Sequence, residues 1–307
     1  MTSVGIIGRS GHAQRLIACL PQNVVRITYH PDGKQSCTND LTRLTECDAI
    51  IVASPTDTHG SYMRQLRHEL GYDRYIMCEK PPFMSRADHD AFIVPDGKTY
   101  FNFNFRYGFY SDLFDLIHKY ELGKLQYVNV DVSHRLAYAE KYKNMWRSDV
   151  TRHPMGVIET VAVHWFDLFN MKLGVGACVR ATLENYANTG TAPDSGFVTF
   201  THGSITTNIF TSYASGPRLM LTFACTSGTI TVAAYSSTGE IQVHLGDELV
   251  HEVCYSQDIE YIRTLQHSMD HFLETVDGGL RFCDVDYNSA MVSNSVLLDL
   301  MEQFSRK

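Results

Sequence analysis

No Cys-x-x-Cys pair occurs in the 307-residue chain, although it contains eight cysteines. Scattered thiols at this length read as reduced, mostly buried residues of a cytoplasmic protein rather than as a disulfide scaffold. No apolar run approaches the ~20 residues that a bilayer span needs, and the first residues show no charged segment ahead of a long apolar one. Blocks of lysine and arginine are missing too. The net charge is -8, so neither nucleic acid nor an anionic membrane surface is an expected partner. Low-complexity tracts and internal repeats are absent, and no cluster has metal-ligand spacing. What remains is a globular composition, with 44% apolar and 20% charged residues, in a chain long enough for two domains.

The first hundred residues alternate between two periods. Ser3–Gly8, Asn23–Tyr29, Ala49–Ala53, Arg74–Cys78 and Lys98–Phe105 read as short strands, with helical spacing over His12–Cys19 and Ser61–Leu70. Strands separated by helices pair in parallel through right-handed crossovers. Beyond about residue 125 the pattern becomes sheet-rich. Strands are expected at Gln126–Ser133, Cys178–Tyr186, Gly196–His202, Ile205–Tyr213, Arg218–Thr226, Thr229–Ala234 and Glu240–His244. Several alternate as a one-sided sheet does. Helices are expected at Ser111–Tyr120, Met155–Lys172, Tyr261–Asp277 and about Tyr287–Phe304. The reading is an α/β chain with an N-terminal Rossmann domain, 1–105. A C-terminal α/β domain, 106–307, carries a large, mostly antiparallel open sheet. With few helices to cover it, an apolar sheet face is expected to remain open and to pair with another copy.

Gly8-Arg9-Ser10-Gly11-His12-Ala13 falls between the first strand and the first helix. A dinucleotide site needs small residues there, so that the turn is tight and the helix amides meet the pyrophosphate. Ser10 stands where a second glycine is usual, while Gly8 and Ala13 fit the first and third positions. An ordinary flexible turn is the alternative. An acidic residue at the end of the second strand would grip the cofactor's ribose. This chain has His30, which, with Lys34, can tolerate a 2′-phosphate, unless Asp32 bends back. Lys80, in Glu79-Lys80-Pro81, ends a strand where α/β proteins bind ligands. It can hydrogen-bond a reacting hydroxyl there or lie in a solvated loop. On Met155–Lys172, Thr160, His164 and Asp167 form a polar stripe, either a buried network or an active-site wall.

Taken in order, Gly8-x-x-Gly11-x-Ala13, Ser54-Pro55-Thr56-x-x-His59, Glu79-Lys80-Pro81 and Gly156-x-x-x-Thr160-x-x-x-His164-x-x-Asp167 resemble the Gfo/Idh/MocA oxidoreductases over nearly the whole chain. The resemblance implies NADP or NAD as cofactor and hydride transfer to or from a sugar, nucleotide-sugar or polyol. It implies Lys80 as the group polarising the reacting oxygen and His164 as proton donor or acceptor. Gly8, Ser10, Gly11, His12, Ala13, His30, Ser54, Pro55, Thr56, His59, Glu79 and Pro81 would line the cofactor. Arg106, Trp146, Arg147 and Thr160 would meet the substrate. A homodimer or homotetramer through the sheet is implied as well. Two departures stand out. Thr160 replaces the family's aspartate, with Glu159 about 100° away around the helix, and the segment between Pro82 and Lys98 is short for a crossover helix. A cofactor-binding regulator without turnover is the second reading.

Overall fold

The computed structural model describes residues 2–33 and 37–305. Lys34, part of the expected 2′-phosphate site, lies outside them. The chain divides into two compact units. The first comprises Met1–Asn104 and Leu265–Leu298; the second comprises Phe105–Thr264 and Asp299–Lys307. The sequence reading placed everything after 106 in one domain. Residues 265–298 instead pack in the first unit, because their apolar side chains complete its core.

In the first unit, β1 (Ser3–Ile7), β2 (Val25–Tyr29), β3 (Ala49–Val52), β4 (Tyr75–Glu79) and β5 (Thr99–Asn102) form an all-parallel sheet in the order β2-β1-β3-β4-β5. The runs Ala49–Val52 and Ile76–Cys78 are buried without alternation. Parallel strands covered on both faces need that composition. Helix α1 (Gly11–Cys19) follows β1, and α2 (His59–Arg64) continues through a π turn at Gln65–Glu69. The short segment after Pro82 supplies only a six-residue helix, α3 (Arg86–Ala91). Near the end of the chain run α6 (Gln257–Asp277) and α7 (Asp284–Ser305). Buried Met269, Phe272, Phe282, Tyr287 and Met291 come from the returning segment. Phe101 meets Tyr287 at 4.9 Å and Tyr100 meets Phe282 at 5.3 Å between ring centroids.

The second unit is built on eight strands in the order β13-β12-β11-β10-β6-β9-β8-β7. These are β6 (Leu125–Ser133), β7 (Ala177–Glu184), β8 (Ser195–His202), β9 (Ile205–Ser212), β10 (Arg218–Cys225), β11 (Gly228–Ala234), β12 (Thr238–Leu245) and β13 (Glu248–Ser256). All pairs are antiparallel except β6–β9. The edge strand β13 is not legible in the sequence, since both its faces are largely exposed and alternation is lost. Inward-facing Val128, Val130, Phe200, Ile209, Leu221, Phe223, Val232 and Val243 form the core. Helices α4 (Phe109–Lys119) and α5 (Val163–Leu173) add Phe114, Trp165 and Phe169 to it; Phe114 meets Phe223 edge-on at 5.1 Å.

The outward register corrects one expectation. It is not broadly apolar: Thr199, Thr201, Thr206, Asn208, Asn129, Thr222, Thr229, Thr231 and Gln242 dominate it, with Tyr127, Phe197, Phe210 and Met220 among them. A polar chain crosses it, from Thr199 Oγ1 to Asn208 Oδ1 at 2.7 Å and from Asn208 Nδ2 to the Tyr127 hydroxyl at 2.9 Å.

The helix expected over Met155–Lys172 has two parts. Gly156 takes φ +54°, and a π turn at Ile158–Ala162 leads into α5. A Cβ on Gly156 would overlap the Pro193 carbonyl. Gly156→Ala therefore adds left-handed strain to a backbone clash and is expected to cost about 2–4 kcal/mol, read as a lowered denaturation midpoint in urea.

Candidate functional site

Strand order in the parallel sheet reverses between β1 and β3, and open α/β sheets bind ligands outside the carboxyl ends of strands at such a point. Gly8 leaves β1 with φ +121°, and a Cβ there would strike the Ala53 carbonyl at the end of β3. Only glycine lets the two strand exits approach so closely. Ser10 caps α1, its Oγ accepting from the Ala13 amide at 3.4 Å. A Cβ on Gly11 would meet nothing within 4 Å, so the helix N-terminus opens on free space.

The other expected cofactor residues surround the same strand ends. His59 is buried and bridges two exit loops, with Nε2 2.9 Å from the Ser54 carbonyl and Nδ1 2.9 Å from the Pro81 carbonyl. Burial holds its pKa below the ordinary 6.5, against the pull of those carbonyls. Thr58 Oγ1 donates to the Pro55 carbonyl at 2.6 Å and stiffens the Ser54–Thr56 turn. Thr56 Oγ1 is buried and has no hydrogen-bond partner among the described residues. His30 follows β2 and accepts from the Asp32 amide at its Nδ1, 3.2 Å away. Asp32 Oδ2 stands 4.0 Å from the same nitrogen.

Glu79 is buried at the end of β4, just before half-buried Lys80. His12 Nε2 stands 3.0 Å from Glu79 Oε1. Asn102 Nδ2 donates to Glu79 Oε1 at 2.6 Å, and Ser268 Oγ donates to Asn102 Oδ1 at 2.6 Å. The Tyr100 hydroxyl continues the chain to Ser268 at 2.7 Å. Burial pushes the Glu79 carboxyl up, but His12, Lys80 and Asn102 outweigh it and the net shift is downward. The sequence reading missed Asn102, Tyr100 and Ser268. Asn102 and Ser268 are 166 positions apart, and neither carries a motif.

In the second unit the polar stripe resolves into separate roles. Asp167 is fully buried and takes a bidentate fork from Arg106, at 2.6 Å from Nε and 2.5 Å from Nη2. Arg106, expected at the substrate, also compensates this carboxylate, which would otherwise be buried without a counter-charge. His164 stacks on Phe105 at 4.3 Å with an interplanar angle of 18°. Thr160 sits on the π turn, a feature frequent at functional sites, and its Oγ1 lies 2.6 Å from the Tyr213 hydroxyl. Glu159 turns the other way, accepting from the Met155 amide and contacting His153, with both side chains fully buried. The Arg147 guanidinium lies over the Trp146 ring at 4.6 Å, and Trp146 meets the His153 ring at 4.8 Å. Tyr213 was not singled out in the sequence; a buried tyrosine at a strand end looks like core until its partner is known.

Residues 110–231 match the sequence profile of the GFO/IDH/MocA C-terminal domain. That segment is similar to the Gfo/Idh/MocA C-terminal domain. YteT from Bacillus subtilis (strain 168), an oxidoreductase by name, is 24% identical over 153 residues, which are 48% of this chain and 35% of that protein. The match therefore spans about a third of the curated relative's length. Among solved structures, KijD10, a 3-ketoreductase from Actinomadura kijaniata in complex with NADP and TDP-benzene, has a TM-score of 0.78 at 14% identity. The alignment covers 97% of this chain and 96% of that one. An oxidoreductase from Agrobacterium radiobacter, in complex with NAD+, L-tartaric acid and magnesium, has a TM-score of 0.75 at 13% identity over 95% of this chain and 93% of that one. At these identities the likeness is one of fold: a parallel, helix-covered sheet and a large, mostly antiparallel one.

His59 yields a pH prediction. A histidine whose folded pKa is depressed contributes stability that is complete above the ordinary value of 6.5 and is lost as the pH falls below it. On acidification from about pH 7.5 to about pH 5.5 the wild type should lose more stability than His59→Gln. Urea denaturation at both pH values checks this, and equal losses would remove His59 from the account.

Proposed function

We propose that the chain is an NAD(P)-dependent oxidoreductase that transfers a hydride between nicotinamide and a carbinol or carbonyl of a sugar, nucleotide-sugar or polyol. The observation that carries the reading is the strand reversal at β1 and β3, where a glycine exit, a capped helix N-terminus and open space above Gly11 coincide. The residues fit a dinucleotide: Thr56 Oγ1 is buried and unpartnered among the described residues, as a ligand-facing hydroxyl would be. Gly8, Ser10, Gly11, His12 and Ala13 would hold the pyrophosphate. Ser54, Pro55, Thr56, His59, Glu79 and Pro81 would shape the nicotinamide side, and His30 the ribose side. Relatives of like fold carry NADP or NAD+. When bound, the cofactor supplies or accepts the hydride.

The protein's part is binding and proton handling. Lys80 donates a hydrogen bond to the reacting oxygen and stabilises developing negative charge there. His164, oriented by its stack on Phe105, gives or takes the proton. Thr160 and Tyr213 offer the substrate neutral hydroxyls in place of a carboxylate. His30 in place of an acidic residue favours NADP over NAD.

Lys80→Ala and His164→Ala should each lower turnover by ~10²–10⁴ while leaving nucleotide affinity intact. Their losses should be less than additive if both serve the same step. Fluorescence titration with NADPH and NADH, beside steady-state assays on sugars, measures both. Absence of binding by either nucleotide would falsify the reading. Nucleotide binding without turnover on any sugar would instead favour a cofactor-dependent regulator.

The protein is further proposed to work as a homodimer or homotetramer through the outward face of the eight-stranded sheet, where Tyr127, Phe197, Phe210 and Met220 stand among threonines. Light scattering should give a multiple of 34.7 kDa, and Phe210→Glu should reduce it to the monomer mass.

A further inference from the structure

The segment 134–153, which links β6 to the turn before Gly156, differs in charge from the rest of the chain. It carries Arg135, Lys141, Lys143, Arg147 and Arg152 against only Glu140 and Asp149, in a chain whose net charge is -8. The segment coils through three short 3-10 turns and is pinned from beneath. The Tyr142 hydroxyl donates to the Arg147 carbonyl at 3.4 Å, and the Tyr142 and Tyr213 rings pack edge-on at 6.0 Å. Tyr142 thereby ties the Arg147 backbone to Tyr213, the partner of Thr160.

Arg147 is half-buried, and its guanidinium, laid over the face of Trp146, has no ion-pair or hydrogen-bond partner among the described residues. The carboxylates of its neighbourhood are engaged elsewhere. Asp149 Oδ1 accepts from the Thr151 amide at 2.9 Å and the Thr151 hydroxyl at 2.8 Å. Asp194 accepts from the amides of Tyr186 and Ala187, at 3.1 and 2.7 Å, and from Ser195. Glu159 is taken by His153 and the Met155 amide. Position 160 is a threonine, so it adds no carboxylate. Burial raises the Tyr213 phenol pKa and the Arg147 charge opposes that rise, as a nearby cation does.

A planar guanidinium stacked on an indole, desolvated on one face and without a carboxylate partner, is suited to a forked contact with a carboxylate or phosphate. We propose that Arg147, on its Trp146 platform, binds an anionic substituent of the substrate, and that the substrate is an acidic sugar, bearing either a carboxylate or a phosphate. The Thr160–Tyr213 pair then takes a neighbouring sugar hydroxyl without the repulsion that an aspartate at 160 would bring. This inference rests on the oxidoreductase reading for the word substrate, but the anion site is testable without turnover.

The chain has two tryptophans, and Trp146 is the less buried of them, so its emission reports ligands at Arg147 directly. Protein with and without saturating NADP is titrated with D-glucuronate, D-glucose 6-phosphate and D-glucose at constant ionic strength. At least one anion should bind about tenfold or more tightly than glucose, as one charge-assisted pair predicts. The preference should vanish in Arg147→Met and survive in part in Arg147→Lys, and the signal should disappear in Trp146→Phe. Which anion binds separates a sugar acid from a sugar phosphate. Equal affinity for glucose, an unchanged preference in Arg147→Met, or no binding of either anion up to about 10 mM overturns the proposal. Failure of NADP to bind in its own titration counts against the oxidoreductase reading and leaves the anion test in force. Circular dichroism of Arg147→Met confirms that it is folded.

Discussion

The approach of the β1 exit to the β3 exit governs the first unit. Gly8 places its α-carbon against the Ala53 carbonyl, at a spot where any side chain would overlap backbone. From that contact follow the direction of α1, the open space above Gly11 and the position of the Ser54–Thr56 turn. His59 then ties that turn to the loop after β4, so three strand exits are held by one glycine and one buried imidazole. The candidate cofactor residues fall into place as a consequence of this packing.

The second unit solves a different problem. Its polar stripe lies on a helix packed into an aromatic core, so each polar group needs a partner. The Arg106–Asp167 fork, the His153–Glu159 contact and the Thr160–Tyr213 hydroxyl pair are three separate answers. His164 is held by the flat face of Phe105. Among the described residues the mixture of ion pair, hydroxyl pair and ring stack leaves Arg147 without a carboxylate partner.

Much of this was legible in the sequence, for definable reasons. Continuous apolar runs such as Ala49–Val52 announce buried parallel strands, and alternation announces β8 to β12. The Gly8–Ala13 turn and Glu79-Lys80-Pro81 announce themselves because their chemistry is local. Elsewhere local signals fail. Strand β13 is an exposed edge whose pattern carries no burial signal. The Arg106–Asp167 fork joins residues 61 positions apart, a separation that no local pattern reports. The Glu79–Asn102–Ser268 chain depends on a segment that returns from the far end of the polypeptide. The outward sheet face kept the predicted period, yet side-chain identity, not period, decided that it is threonine-rich.

The discontinuity of the first unit also has a consequence during synthesis. Residues 1–104 leave the ribosome long before 265–298, which supply Ser268 for Tyr100 and Asn102 and the rings that pack on Phe101 and Tyr100. At ordinary elongation rates that interval is roughly 10–30 s. For that time the partners that cover Tyr100 and Phe101 on β5 in the fold are still to be made. The chain thus completes its first unit last, although that unit's strands are synthesised first.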